Sequence, residues 1–337
     1  MKKILFPKHK NFYKACLHTH STVSDGQFTP EQLKEEYLKR GYSAVAFTDH
    51  GVFVTHNDLT DEKFVALNGV EIDVAIPRKG LRKTFEKCCH ICHVALSPNT
   101  TRQPCLSFEN NFVKKNLELG VKLDFDPNIP SFNGEYSADC INDIIKQGVE
   151  GGFFVTYNHP TWSGERYKDY SKYQGMHAIE IYNHGSAIVG AGETDVWAYD
   201  EFLSDGKRLY CTATDDTHKL KDIGGGYVVI NADKLEYTAL TNALLNGDFY
   251  SSKAPEIKEI AIEDGVVTVK TSPARLIQIK TLERHFEANT DTVNGTLVTE
   301  ASMKLYPEDT GFRVTVVDEK GLVAYSNAYF LDEIEKQ

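Results

Sequence analysis

Between residues 12 and 250, short β-rich runs alternate with helix-like segments, and no other feature constrains the fold as strongly. The runs occupy residues 13–17, 44–47, 64–67, 91–96, 153–157, 178–182, 209–212 and 227–230. Such alternation is the pattern of an α/β domain with parallel strands. The clearest helix opens at Thr29-Pro30-Glu31, where Thr29 can cap, Pro30 suits the first turn and Gly41 stops the helix after Leu33, Tyr37 and Leu38. Others are expected over 109–119, 138–147 and 237–245. Seven or eight strands in about 240 residues suit a barrel at least as well as an open sheet, and the barrel is favoured.

After Ser251-Ser252-Lys253-Ala254-Pro255 the period changes to two. Ile260 and Ile262 alternate up to Asp264-Gly265, and Val267 and Val269 continue beyond it. A second hairpin sets Phe312, Val314 and Val316 before Asp318-Glu319-Lys320-Gly321 and Val323 and Tyr325 after it. Residues 255–337 therefore read as a small, immunoglobulin-like β-sandwich behind a larger domain of residues 1–254, a division that suits a chain of 337 residues.

With 41% hydrophobic and 25% charged residues, the chain can bury a core and is not a disordered type. A net charge of −11 gives no bulk attraction to a nucleic-acid polymer or an anionic membrane. No apolar run is long enough to span a bilayer, and the opening MKKILFPKHKNFYK lacks a signal-peptide core. The seven cysteines form no disulfide framework and read as reduced thiols, so a cytoplasmic location is expected.

Ligand-type residues recur where the runs stop. In Leu17-His18-Thr19-His20, period two places both imidazoles on one side of an extended chain, within reach of one ion. Alone, His-x-His is more often accidental than a ligand pair. Here Asp25 follows five residues on, the second run ends in Thr48-Asp49-His50, and the third leads into Asn68-Gly69-Val70-Glu71-Ile72-Asp73. Glu71 is a carboxylate able to bridge two cations. In Cys88-Cys89-His90-Ile91-Cys92-His93, the cysteines resemble half of a structural zinc site, but no second pair completes it. As a strand, the segment turns only one of His90 and His93 to the barrel mouth. His93, which directly precedes Val94-Ala95-Leu96, is the choice. His159 follows another buried run, and Asp216 and His218 close the series in Thr214-Asp215-Asp216-Thr217-His218.

The ordered set LHTHSTVSDG, AFTDHG, NGVEID, HVALS, YNHP and DDTH resembles the PHP family, named for polymerase and histidinol phosphatase domains, over residues 12 to 250. The resemblance implies a distorted (β/α)7 barrel holding two or three divalent ions, zinc, manganese or iron, that hydrolyse phosphoesters. Carried over by position, His18, His20, Glu71 and Asp216 would hold one ion; Glu71, His93 and His159 a second; and Asp25, His50 and His218 a third. Some relatives have histidine where this chain has Asp25. The chain also looks like a branch with a C-terminal β domain, in which some members resemble carbamate-ester hydrolases.

The chemistry expected of such a centre is metal-assisted hydrolysis, in which two cations share a bridging hydroxide and neutralise charge on a phosphoryl oxygen. Glu71, Asp216 and His218 would carry it. Arg166 and Lys219 follow His159 and His218 and are candidates to contact a phosphate, although each taken singly reads as solvated surface charge. Glu180 and His184 could line the pocket or simply pack, and the two tryptophans and the tyrosines read as packing residues. The leading expectation is a phosphoesterase acting on a small phosphorylated metabolite or nucleotide. A hydrolase of carbamate or other carboxyl-derived esters is the alternative, favoured by an apolar rather than a basic pocket. A non-catalytic binding protein is a third reading, which a complete ligand set argues against.

Overall fold

The computed structural model describes residues 2–79 and 85–336. Its strands are β1 (Lys3–Phe6), β2 (Asn11–Cys16), β3 (Ala44–Phe47), β4 (Val65–Pro77), β5 (Phe85–Ala95), β6 (Phe153–Asn158), β7 (Ala178–Asn183), β8 (Tyr210–Thr214), β9 (Tyr227–Ala232) and β10 (Phe249–Ser252). Helix α1 (Pro30–Leu38) follows β2. Thr29 Oγ1 accepts from Gln32 N, the Gln32 side chain accepts from Thr29 N, and Leu33 and Tyr37 turn into the core. Helix α2 (Asn111–Glu118) and helix α3 (Ala138–Glu150) come later, α3 laying Ile141, Ile144 and Ile145 against Phe153 and Val155.

The α/β class holds, with one large mixed sheet. From β9 it runs β2-β3-β4-β5-β6-β7-β8. The pairs β2–β3, β3–β4, β6–β7 and β7–β8 are parallel, whereas β4–β5, β5–β6 and β9–β2 are antiparallel. Two features differ from an all-parallel closed barrel. β4 and β5 form a long antiparallel pair, so the strand read over 91–96 begins earlier, at Phe85. Among the described residues, no ladder joins β8 to β9; a single parallel bridge, Thr19 to Thr217, links the chain just past β2 to the chain just past β8.

The later strands are β11 (Ile257–Glu263), β12 (Val266–Ala274), β13 (Leu276–Thr281), β14 (Phe286–Asn289), β15 (Val298–Lys304), β16 (Gly311–Val317) and β17 (Val323–Ser326). The hairpin turn at Asp264-Gly265 is observed, with φ of +50° and +75°. One sheet has the order β1-β11-β12-β15, and its Ile260, Val267 and Val269 share a buried core with Ile277, Ile279, Val314 and Val316 of β13 and β16. The chain's first strand therefore lies with its later ones. β17 pairs with β10, which extends the large sheet into this region. All seven cysteines are free thiols. No helix among the described residues is long and apolar enough to cross a membrane.

Candidate metal centre

Four strand ends and two strand interiors deliver histidines and carboxylates to one buried spot. His18 and His20 follow β2, His50 follows β3, and Glu71 and His90 lie within β4 and β5. His159 follows β6, and Asp216 and His218 follow β8. His159 and Asp216 adopt positive φ, +27° and +50°, as the chain leaves each strand. Such strained backbone is retained where surrounding contacts over-determine it.

Glu71 is the hub. Its Oε1 lies 3.2 Å from His18 Nε2, 3.3 Å from His90 Nδ1 and 3.5 Å from His159 Nε2. Its Oε2 lies 3.3 Å from His20 Nε2 and 3.2 Å from His50 Nδ1. Asp216 Oδ1 is 3.3 Å from His18 Nε2 and 3.1 Å from His20 Nε2. At the rim, Asp25 Oδ1 is 3.3 Å from His218 Nε2 and 4.0 Å from both His20 Nδ1 and His50 Nε2.

Three rings are oriented by bonds on their outer nitrogens. His18 Nδ1 bonds Glu180 Oε1 at 3.0 Å, His159 Nδ1 bonds Ser163 Oγ at 3.2 Å, and His218 Nδ1 donates to the Asp216 carbonyl at 3.1 Å. Each leaves Nε2 aimed inward as a lone-pair donor. Further polar groups hold the carboxylates. Asn158 Nδ2 donates to Glu71 Oε1 at 2.7 Å, and Asn183 Nδ2 donates to Glu180 Oε2 at 2.9 Å and Asp216 Oδ2 at 3.0 Å. The His159 amide donates to Glu180 Oε2 at 3.1 Å, and Thr214 Oγ1 donates to Glu180 Oε1. Asp49 accepts from the amide and hydroxyl of both Ser21 and Ser24, pinning the loop after His20.

The residues fit divalent cations. Among the described residues, His20 Nδ1, His50 Nδ1, His90 Nδ1, Glu71 Oε2 and Asp216 Oδ1 are buried without a hydrogen-bond partner, an arrangement costly for a polar group unless an ion satisfies it. His18 Nε2 and His20 Nε2 face each other at 3.1 Å, two lone pairs that need a cation or proton between them. Burial disfavours a charged His20, but Asp216 and Glu71 outweigh it and lift the pKa to about 9 in the absence of a cation. His18 is likewise raised against its burial, by Asp216, Cys92 and Glu71. Burial would raise Glu71, but His18, His90 and His50 hold it well below the usual carboxylate range. His50, disfavoured by burial and then by His20, falls to about 4.

Of the expected residues, His18, His20, Asp25, His50, Glu71, His159, Asp216 and His218 converge. His93 does not. Across the β4–β5 ladder it pairs with Val70, while Glu71 pairs with Cys92 and Asp73 with His90, so His90 shares the Glu71 face. The His93 ring is fully buried on the opposite face, against Phe153 and the Gly148 stretch of α3. Burial lowers its pKa to about 3. Proximity to Val94-Ala95-Leu96 was the wrong guide, because facing is set by the cross-strand register. Arg166 is exposed and gives its Nη1 to the Glu165 carbonyl at 3.0 Å, and Lys219 is exposed beside His218. His184 Nδ1 bonds Tyr182 Oη at 2.9 Å.

A cluster of this composition, built around one shared carboxylate at the ends of α/β strands, is compatible with metal binding. Residues 17–138 match the PHP domain family. The matched stretch includes His18, His20, Asp25, His50, Glu71 and His90, and the remaining donors lie beyond it. A segment of 79 residues is 35% identical to the DNA polymerase/3'-5' exonuclease PolX of Bacillus subtilis (strain 168), covering 18% of this chain and only 14% of that protein. Among solved structures, a two-domain protein from Bacteroides vulgatus ATCC 8482 containing a predicted PHP-like metal-dependent phosphoesterase aligns over 96% of this chain and 98% of its own, at 15% identity and a TM-score of 0.47. The lesion-specific endonuclease PfuEndoQ from Pyrococcus furiosus aligns over 70% of this chain and 56% of its own, at 12% identity and a TM-score of 0.40.

Proposed function

We propose that this protein is a metal-dependent phosphoesterase that hydrolyses a small phosphorylated metabolite or nucleotide. The observation that carries the reading is Glu71, whose two oxygens lie 3.2 to 3.5 Å from five imidazole nitrogens. On this reading His18, His20, Glu71 and Asp216 hold one cation, Glu71, His90 and His159 a second, and Asp25, His50 and His218 a third; zinc, manganese and iron all suit the donors. Such cations supply a bound water of lowered pKa and neutralise charge on a phosphoryl oxygen. Glu180 and Asn158 keep His18 and Glu71 in place while charge shifts, and Asp216 and His218 border the reacting group. We assign this chemistry to residues 1–254, arranged as a distorted barrel of the PHP type, with residues 255–337 as an accessory β-sandwich. The free thiols agree with a cytoplasmic setting.

PolX and EndoQ act on nucleic acids by their names, but a net charge of −11 gives this chain no general attraction to a polyanion, so a small substrate is the better fit. One observation favours hydrolysis of a carbamate or other carboxyl-derived ester instead: aromatic rings of Trp162 and Phe112 border the cluster, and the nearby Arg166 guanidinium is engaged with the Glu165 carbonyl. Phosphate release from a panel of phosphomonoesters and nucleotides, measured with and without a chelator and for His20→Ala, tests the proposal. Release that disappears on chelation and in the variant supports it. Bound metal with no release from any phosphoester, but turnover of aryl esters or carbamates, sinks it in favour of the alternative.

A further inference from the structure

Trp162 stands against the metal cluster. Its ring centroid lies 4.9 Å from that of His159 and 5.3 Å from that of His90, at interplanar angles of 75° and 66°. An indole that served only to seal these ligands would be covered, yet Trp162 is 43% exposed. The turn that carries it is tied down at several points. Thr161 N donates to Asp195 Oδ1 at 3.0 Å, Ser163 N to the His159 carbonyl at 3.1 Å, and Cys88 N to the Ser163 carbonyl at 3.0 Å. The backbone of this turn is thus held, and the ring rests edge-on against His90 and His159 beside the centre; an aromatic surface already in place gives up little entropy on binding.

Phe112 lies against another part of the same cluster, nearly parallel to His50 with centroids 6.1 Å apart at 15°. The His50 and His90 rings are 5.5 Å apart, so aromatic surface borders the centre on both the His50 and the His90 side. A substrate whose phosphoryl group reaches Glu71 must put its leaving group near these rings. A large exposed aromatic beside a reactive centre marks a contact site, and tryptophan offers a flat face that suits another flat ring.

We propose that Trp162 stacks on a planar aromatic ring of the leaving group, with Phe112 as a second wall, so that the preferred substrates are aryl or nucleoside phosphomonoesters. This rests on the phosphoesterase reading. In the reaction, the phosphorus–oxygen bond to the leaving group breaks, a water oxygen takes its place on phosphorus, and the departing oxygen receives a proton. The stacked ring is chemically unchanged, and Trp162 acts by positioning it.

The chain has two tryptophans, and Trp197 is 74% exposed on the helix Val196–Ser204, outside the cluster. Trp197→Phe therefore leaves Trp162 as the sole tryptophan, whose emission can be excited selectively at the red edge of protein absorption. The protein, with the metal it carries after purification, is titrated with phenylphosphonate and with methylphosphonate, whose phosphorus–carbon bonds resist hydrolysis. Phenylphosphonate is expected to alter Trp162 emission and to bind about ten-fold more tightly than methylphosphonate, the scale of one stacked ring. In Trp162→Ala the two affinities should converge to within about two-fold at unchanged metal content, while Trp162→Phe keeps most of the preference. Equal affinities in the parent protein, or a preference that survives Trp162→Ala, would overturn the stacking role and leave the phosphoesterase reading standing. No binding of either phosphonate, with no phosphate release from 4-nitrophenyl phosphate, would overturn both.

Discussion

Glu180 receives His18 Nδ1 at 3.0 Å from within β7, and its other oxygen accepts the His159 amide at 3.1 Å, so one buried carboxylate orients two histidines of the centre. A carboxylate behind a metal-binding imidazole fixes the tautomer and raises the basicity of the inner nitrogen. Glu180→Gln preserves size but removes the charge. It should lower metal affinity by roughly 10- to 100-fold, read by chelator competition, with the far-ultraviolet circular dichroism unchanged.

Gly148 exists in α3 because His93 is there. A Cβ on Gly148 would stand 2.6 Å from His93 Nε2 and 2.8 Å from Val155 Cγ2. In an open helix, Gly→Ala gains up to about 1 kcal/mol. Here Gly148→Ala should instead cost about 1–3 kcal/mol from overpacking, measured by urea unfolding. Adding His93→Ala should relieve part of that cost, whereas His90→Ala should lose bound metal without relieving it.

His93 also gives stability a pH dependence. Its folded pKa, lowered by burial to about 3, lies below the ordinary value of 6.5. Below pH 6.5 the unfolded chain takes up a proton that the folded chain refuses, so stability falls as pH drops from 6.5 toward 3. The loss attributable to this group between pH 7 and 5 is about 2 kcal/mol. With both proteins metal-free, His93→Met should show a correspondingly shallower decline in unfolding free energy over that range.

Asp200, on the helix Val196–Ser204, ties that helix to β16. Arg313 Nε and Nη2 reach its two oxygens at 2.8 and 2.9 Å, and Lys280 Nζ adds a contact at 2.9 Å. Arg313 is buried, so Asp200→Ala leaves an uncompensated charge. The expected cost is about 3–5 kcal/mol, seen as a lower denaturant midpoint. Replacing both Asp200 and Arg313 by apolar residues of similar size should recover much of it.

Much of the centre can be read along the chain, for a physical reason. His18, His20, His50, Asp216 and His218 sit where apolar runs stop, and a parallel arrangement brings such ends together. The choice between His90 and His93 depends on which residue of β4 lies opposite, Asp73 on the Glu71 face or Val70 on the other, and that register is absent from local pattern. Glu180 and Asn158 lie within wholly buried strands, where they pass for core positions until their partners are known. The signal for Glu180 was a charge inside an apolar run, since a buried carboxylate requires partners. The pairing of β1 with β11 was hidden by about 250 residues of separation, and the antiparallel β4–β5 pair breaks the parallel alternation that the runs suggest.

On the proposed function, Glu71 is shared by cations that the surrounding histidines hold. Metal content per chain, measured on the purified protein and on Glu71→Gln, tests it most directly. Two or three equivalents in the parent, falling to one or fewer in the variant at unchanged fold, is the predicted result. A parent protein that takes up no divalent metal when zinc, manganese or iron is supplied, or a variant that retains the full complement, would contradict it.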